Sequence, residues 1–330
     1  MARTHPHPTD GDGTPPTARS AIWLGGRAFR LDESPLPVPG EGEVRVRIDS
    51  CGVCLTEVHG VDGLLTSAPP PRLMGHEYGG VIDALGPGVA EQTGLTAGTP
   101  VACDGRQGYA DFGILPADRV HPLPPGVPVE HAVFVEPLQC CLAAERRAQV
   151  PPGATVLLTG AGPMGLLVLQ IVRRRQGARV IVSEPNPVRR ALALSLGAAQ
   201  AVDPRETSAR EVVMEATRDR GVAAAFEAAG NPAALRDCLS AVGEHGAVVL
   251  LGVAPVTAQI ALDIYQFHRQ NLRLIGSYGD RIGVGFATAT RWLAELELAP
   301  LISHRYDLAN IADAFDVAGR GEGLKVLVRA

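Results

Sequence analysis

The chain has 330 residues, with 30 Lys plus Arg against 35 Asp plus Glu and a formal charge of −5, a balance that excludes a basic nucleic-acid-binding surface. Hydrophobic residues make up 46% and charged residues 20%, enough apolar side chain for a sizeable core and too little charge for a disordered polyelectrolyte. The 38 Gly, 27 Pro and 4% aromatics point to many turns around an Ala, Val and Leu interior rather than to an aromatic-rich carbohydrate module, and the length fits two domains.

Residues 1–20 are polar and rich in Pro, Thr and His, without an apolar run that could serve as a secretory h-region. They are expected to form a flexible tail. Six cysteines without an export signal imply a reducing compartment, hence a cytoplasmic protein whose thiols ligate metal or pack in the core. From Ala21 to about Pro128 short strands alternate with Gly and Pro, and Glu43–Ile48 shows the period of two of a half-buried strand. This part is expected to be all-β.

Within it, Cys51-Gly-Val-Cys54-Leu-Thr56-Glu57-Val-His59 offers two thiols, and His76-Glu77 follows on Gly75. A redox CxxC normally opens a helix of a thioredoxin-like fold, whereas this one follows a β segment. A structural zinc site needs a second CxxC, and Cys103, Cys140, Cys141 and Cys238 are not so spaced. One thiolate with a distant His and a carboxylate would leave zinc an open position, the arrangement of a catalytic site. From spacing alone, core packing competes with that reading.

From about Thr155 the rhythm becomes strand then helix: Thr155–Thr159 and Met164–Arg175, Arg179–Ser183 and Val188–Leu196, Val222–Glu227 and Ala233–Val242, then Gly246–Leu251. Such alternation writes a parallel sheet with crossover helices. The apolar run Ala154–Val172 has the length of a membrane span. Gly160, Gly162, Pro163 and Gly165 break it in the middle, so no membrane partner is expected. Leu272–Ile275 would close the sheet, a helical run covers Ala287–Leu298, and Leu324–Val328 is a strand in need of a partner.

Gly160-Ala-Gly162-Pro163-Met164-Gly165 links the first of these strands to its helix. Gly160 serves the tight turn, Gly162 the close approach of backbone to a pyrophosphate, and Gly165 the packing of helix on strand. Pro163 and Met164 open the helix whose free N–H groups attract the phosphates. The next strand ends at Glu184, where a carboxylate can accept both adenosine-ribose hydroxyls of NAD and repel a 2′-phosphate. A plain Gly-rich turn with a solvent-facing Glu is the competing reading, and Arg189 keeps NADP open.

Cys54-x-Thr-Glu-x-His59, Gly75-His-Glu-Tyr-Gly-Gly-Val81, Val135-Glu-Pro-Leu138 and Gly160-x-Gly-x-x-Gly165 together resemble the zinc-dependent medium-chain alcohol dehydrogenases. The likeness is closest to their sorbitol, threonine and cyclitol dehydrogenase branch, and it covers the chain from Ala21 onward. It implies an α/β protein: a GroES-like β domain over 21–135 and 281–330, and a Rossmann-type NAD-binding domain with a doubly wound parallel sheet over 136–280. Returning the chain to the first domain would give Leu324–Val328 its partner.

The resemblance implies one catalytic Zn²⁺ held by Cys54 and His76, with Glu136 standing where the family has Cys or Glu. Glu77 matches a carboxylate that neighbours the metal and is sometimes a direct ligand. A Cys–His–Glu set formally neutralises Zn²⁺ and leaves a position where an alcohol oxygen can bind and lose its proton. Glu57 replaces a family Asp that hydrogen-bonds the ligand histidine, and its longer side chain is a departure. Thr56 and His59 resemble a relay passing the proton through the nicotinamide ribose to an imidazole. Cys103 stands alone where relatives carry a four-cysteine lobe for a structural zinc.

The implied activity is NAD-dependent interconversion of a secondary alcohol and its ketone, with a polar small-molecule substrate such as a polyol, cyclitol or amino alcohol. A homodimer or homotetramer is expected through Leu272–Ile275. Two other classes stay open: a zinc-independent reductase of an enone or imine, and a non-catalytic NAD(H)-binding protein.

Overall fold

A computed structural model describes residues 16–279 and 285–330. The chain divides into two compact units, one formed by the residues up to Phe134 with Ser303–Ala330, the other by Val135–Ile302. The return to the first unit thus falls at Ser303 rather than at 281. The helix Gly285–Trp292 belongs with the second unit because it packs on the helix Val135–Ala148.

In the first unit the strand Glu43–Gly52 pairs antiparallel with Glu77–Leu85, Phe112–Pro116 and Lys325–Arg329. This seats the C-terminal strand, expected over Leu324–Val328, against the strand that leads to Cys54. The sheet continues through Pro100–Cys103 to Val120–Pro122. Alternation of apolar side chains along Glu43–Gly52 puts Val44, Val46 and Ile48 into a core with Tyr78, Ile82, Val101 and Val326. Thr17–Gly25 forms a hairpin with Ala28–Pro35. Thr17–Ser20, expected in the tail, are therefore strand residues, and the remainder of the expected tail lies outside the described residues apart from Pro16.

The unit is not purely β. The helix Leu55–Val61 buries Glu57, Val58 and Val61, and Val89–Thr93 is a second short helix. Seven residues are too few to display a 3.6-residue rhythm, so this helix is invisible to periodicity.

The second unit has one parallel sheet in the order Gln200–Val202, Arg179–Ser183, Thr155–Thr159, Val222–Glu227, Val242–Leu250, Arg273–Gly276. In chain order this is 3-2-1-4-5-6, the doubly wound arrangement with its topological switch beside the first strand. The central strands are apolar on both faces, as a sheet covered by helices requires: Val156, Leu157 and Leu158 are fully buried. The three-residue strand Gln200–Val202 and the helix Ala209–Thr217 were absent from the sequence expectation. So short an edge strand carries no legible alternation. Among the described residues no helix is long and apolar enough to cross a membrane.

Candidate metal centre and nucleotide site

Cys54 is the last residue before the helix Leu55–Val61, its carbonyl accepting from the backbone N–H groups of Glu57 and Val58. His76 and Glu77 lie where the strand Glu77–Leu85 begins. The pairing Gly52↔Glu77 brings both ends of the hairpin-like pair together, and ligating atoms of Cys54, His76 and Glu77 lie within 4.8 Å of one another. Soft thiolate, imidazole and carboxylate form a donor set suited to zinc.

Gly75 makes the turn possible. Its φ is +96°, and a Cβ there would lie 2.8 Å from Cys51 Sγ and 2.9 Å from Tyr109 N. Cys51 is fully buried against this turn and acts as packing.

Glu57 spans the gap that its length put in question. Its Oε1 lies 2.9 Å from His76 Nδ1 and accepts from Gly75 N at 2.9 Å, while Oε2 accepts from Tyr109 Oη at 2.7 Å. This holds Nδ1 toward Glu57 and turns Nε2 to the ligand group. Burial works against ionisation of Glu57, but His76, Tyr109 and the Gly75 amide outweigh it and lower its pKa. On His76 burial likewise opposes the charge, yet hydrogen bonds and charge from Cys54 and Glu57 push its pKa up to about 12. A metal held by Cys54 and His76 would require the thiolate and the neutral imidazole.

Glu77 is almost fully buried, as is Lys325 of the C-terminal strand, and the two form a close hydrogen-bonded ion pair. Glu136 stands in the first turn of Val135–Ala148, in the second unit, with Cys140 Sγ 3.8 Å from its Oε1. Among the described residues the clustered metal-ligating side chains are Cys54, His76 and Glu77. Thr56 and His59 are half-buried and one turn apart on the helix after Cys54, hence on one face. His59 Nδ1 is buried without a hydrogen-bond partner among the described residues. Burial lowers the His59 pKa, against a smaller raising effect of Asp62.

In the second unit Gly160 has φ +90°, and a Cβ there would lie 2.8 Å from Ala229 N. A Cβ on Gly165 would overlap the Gly160 carbonyl, which is the close helix-on-strand packing expected. Gly162, at the N-cap of Pro163–Gln176, has open space where a Cβ would stand, so backbone can approach a phosphate there. Pro163 occupies the first helical turn, where its missing N–H costs nothing. The Met164 carbonyl accepts from Cys141 Sγ at 3.5 Å.

Glu184 is buried rather than solvent-facing. Its Oε2 accepts from Ala161 N at 2.7 Å and its Oε1 from Asn186 N at 2.8 Å. Each oxygen keeps a lone pair for a ribose hydroxyl. Arg189 sits half-buried at the start of Pro187–Ser195, its N–H donating to Asn186 Oδ1.

The geometry has counterparts in known proteins. Residues 40–125 match the alcohol dehydrogenase GroES-like domain and residues 163–295 the zinc-binding dehydrogenase domain. An L-threonine 3-dehydrogenase of Pyrococcus horikoshii is 30% identical over 92% of this chain and 95% of its own. The chain belongs to the zinc-binding medium-chain alcohol dehydrogenases. Among solved members of the family, galactitol-1-phosphate dehydrogenase from Escherichia coli is 28% identical with TM-score 0.83, covering 94% of this chain and 100% of that one. A structure described as a zinc-binding dehydrogenase of Sinorhizobium meliloti 1021 bound to NADP is 25% identical with TM-score 0.86, covering 96% and 100%.

Several residues of these sites escaped the sequence reading: Tyr109 behind Glu57, Lys325 behind Glu77, and Asp203 with Arg190 and Arg205 beside Glu184. Lys325 did leave a trace, as a lone cation in the apolar run Leu324–Val328.

Proposed function

We propose that this chain is a zinc- and NAD-dependent dehydrogenase that interconverts a secondary alcohol and its ketone. The carrying observation is the Cys54–His76–Glu77 cluster with Glu57 fixing the imidazole, in the same chain as the Gly160–Gly165 turn that ends its neighbouring strand on Glu184. When bound, zinc polarises the substrate oxygen and NAD accepts hydride. Cys54 and His76 hold the metal, with Glu136 or Glu77 supplying the third ligand. Gly160, Gly162, Pro163, Met164 and Gly165 seat the pyrophosphate and Glu184 the adenosine ribose. Thr56 takes the substrate's hydroxyl proton and His59 delivers it to solvent.

Threonine and galactitol phosphate, the compounds in the relatives' names, are polar polyfunctional alcohols. A polyol, cyclitol or amino alcohol is accordingly the proposed substrate class. NADH formation across a panel of these compounds tests it. No turnover with any of them, alongside normal NAD binding, would favour a non-catalytic NAD(H)-binding protein. Full activity after complete removal of metal would favour the zinc-independent reductase.

Metal analysis of purified protein is expected to give about one zinc per chain. Two equivalents would contradict the single-site assignment. NAD is expected to bind and react better than NADP, with Glu184→Ala narrowing the difference. Equal efficiency with both cofactors, unchanged by that substitution, would refute the role given to Glu184.

The proposed oligomer is a homodimer or homotetramer. The edge strand Arg273–Gly276 and its surroundings expose Leu274, Tyr278, Ile264, Tyr265, Leu262 and Val256. Uncovered, such an edge invites aggregation. Sedimentation as a monomer at micromolar concentration is the contrary result.

A further inference from the structure

We propose that Asp203 is a specificity-determining residue for the dinucleotide: it neutralises two arginines beside Glu184 and so keeps the site selective for a ribose without a 2′-phosphate. This deepens the reading of Glu184 as the ribose acceptor and rests on it.

Asp203 directly follows the edge strand Gln200–Val202, which pairs parallel with Arg179–Ser183. The register sets Asp203 beside Glu184, whose N–H donates to the Val202 carbonyl at 3.0 Å. The Asp203 carboxylate is 4% exposed and fully engaged. Its Oδ1 accepts from Arg205 Nε at 2.8 Å and Arg205 N at 3.0 Å, and its Oδ2 from Arg205 Nη2 at 2.5 Å and Arg190 Nη1 at 3.1 Å. The fork to Arg205 is bidentate, the strongest geometry available to such a pair.

Both guanidiniums are simultaneously drawn onto the backbone after Glu184. Arg190 Nη1 donates to the Glu184 and Pro185 carbonyls at 2.8 Å each, and Arg205 Nη2 to the Pro185 carbonyl at 2.6 Å. Two cations therefore sit at the strand end where the ribose acceptor stands, and two carboxylates balance them. Arginine is the residue best matched to phosphate, and Arg205 remains 67% exposed. With Asp203 ionised, Arg205 Nε and Nη2 are engaged by the carboxylate, Nη2 also by the Pro185 carbonyl, and the charge of the guanidinium is offset. With Asp203 neutral the same spot carries a net positive charge and free donors, the requirement for holding a phosphate dianion.

The test measures dissociation constants of NAD and NADP by calorimetry for the full chain. Asp203→Asn keeps the side-chain oxygen that accepts from Arg205 N and removes the charge. The ratio of NADP to NAD affinity is expected to rise about tenfold to a hundredfold, as for one or two newly available charge-assisted hydrogen bonds. Adding Arg205→Leu should reverse most of that rise. If Asp203→Asn fails to fold, Arg205→Leu alone still decides: it should leave the wild-type ratio within about twofold, because Asp203 already occupies that guanidinium.

An unchanged ratio in folded Asp203→Asn, or a large loss of NADP affinity in Arg205→Leu alone, would overturn the proposal. A wild type that binds NADP as tightly as NAD overturns it as well. A wild type that binds neither dinucleotide refutes the functional reading itself, and this inference with it. NAD binding with an unmoved ratio refutes only the role of Asp203.

Discussion

Thr56→Val is expected to lower turnover by about 10²- to 10⁴-fold, the usual contribution of a positioned proton-transfer group, while zinc content and NADH affinity stay near wild type. Valine keeps the shape of threonine and removes its hydroxyl. Thr56 stands two residues after Cys54 and one turn before His59 on the same helix face. In the proposed relay it is the hydroxyl that takes the proton of the substrate alcohol. His59 is suited to receive that proton onward, because burial lowers its pKa and keeps the ring neutral, and its buried Nδ1 has no hydrogen-bond partner among the described residues. Thr56→Ser should retain most activity.

His59→Ala should be milder and should recover in part with added buffer bases, since solvent can take over at the exit of the path. Burial lowers the His59 pKa, so His59 gains its proton at a more acidic pH than an exposed histidine does, and the His59-dependent part of the rate should decline on acidification correspondingly later. Normal turnover in Thr56→Val, or loss of its zinc, would rule out the relay.

Lys325→Met should destabilise the metal-free protein by roughly 3–5 kcal/mol. That corresponds to a fall of roughly 6–20 °C in the unfolding midpoint of a domain of this size. Methionine fills nearly the same volume, so the loss is electrostatic. Glu77 is 2% and Lys325 5% exposed at the side chain, and water cannot reach in to replace the lost ammonium. A buried charge without its partner carries its whole desolvation cost.

Two comparisons isolate that cause. Lys325→Met with Glu77→Gln should recover much of the loss, because no uncompensated charge remains. Zinc should also protect Lys325→Met more than wild type, because Glu77 lies in the group with Cys54 and His76 and the cation offsets its charge. Equal midpoints for wild type and Lys325→Met after chelation would show that the pair contributes nothing.

Local chemistry is legible along the chain. Gly160, Gly162 and Gly165 lie within six consecutive positions, and the left-handed φ of Gly160 and the contact of Gly165 with the Gly160 carbonyl both arise inside that turn. The alternation of Glu43–Ile48 and the apolar runs of the parallel strands are likewise set by periods of two residues and by burial on both faces. Cys54 and His76 were named from motif resemblance, and the structure brings them together with Glu77.

The partners behind those residues come from the folded arrangement. Glu57 meets Tyr109 across 52 positions and Glu77 meets Lys325 across 248. The second meeting exists only because the C-terminal strand pairs with Glu43–Gly52, which in turn pairs with Glu77–Leu85. Asp203 reaches Arg190 because a three-residue edge strand, too short to show a period, lies in register with Arg179–Ser183. The physical reason is common to these cases. A turn or a strand face is stabilised by neighbours along the chain, so its residues carry their own signature. A buried charge is stabilised by a partner that sheet register delivers from elsewhere, and no local pattern encodes that partner.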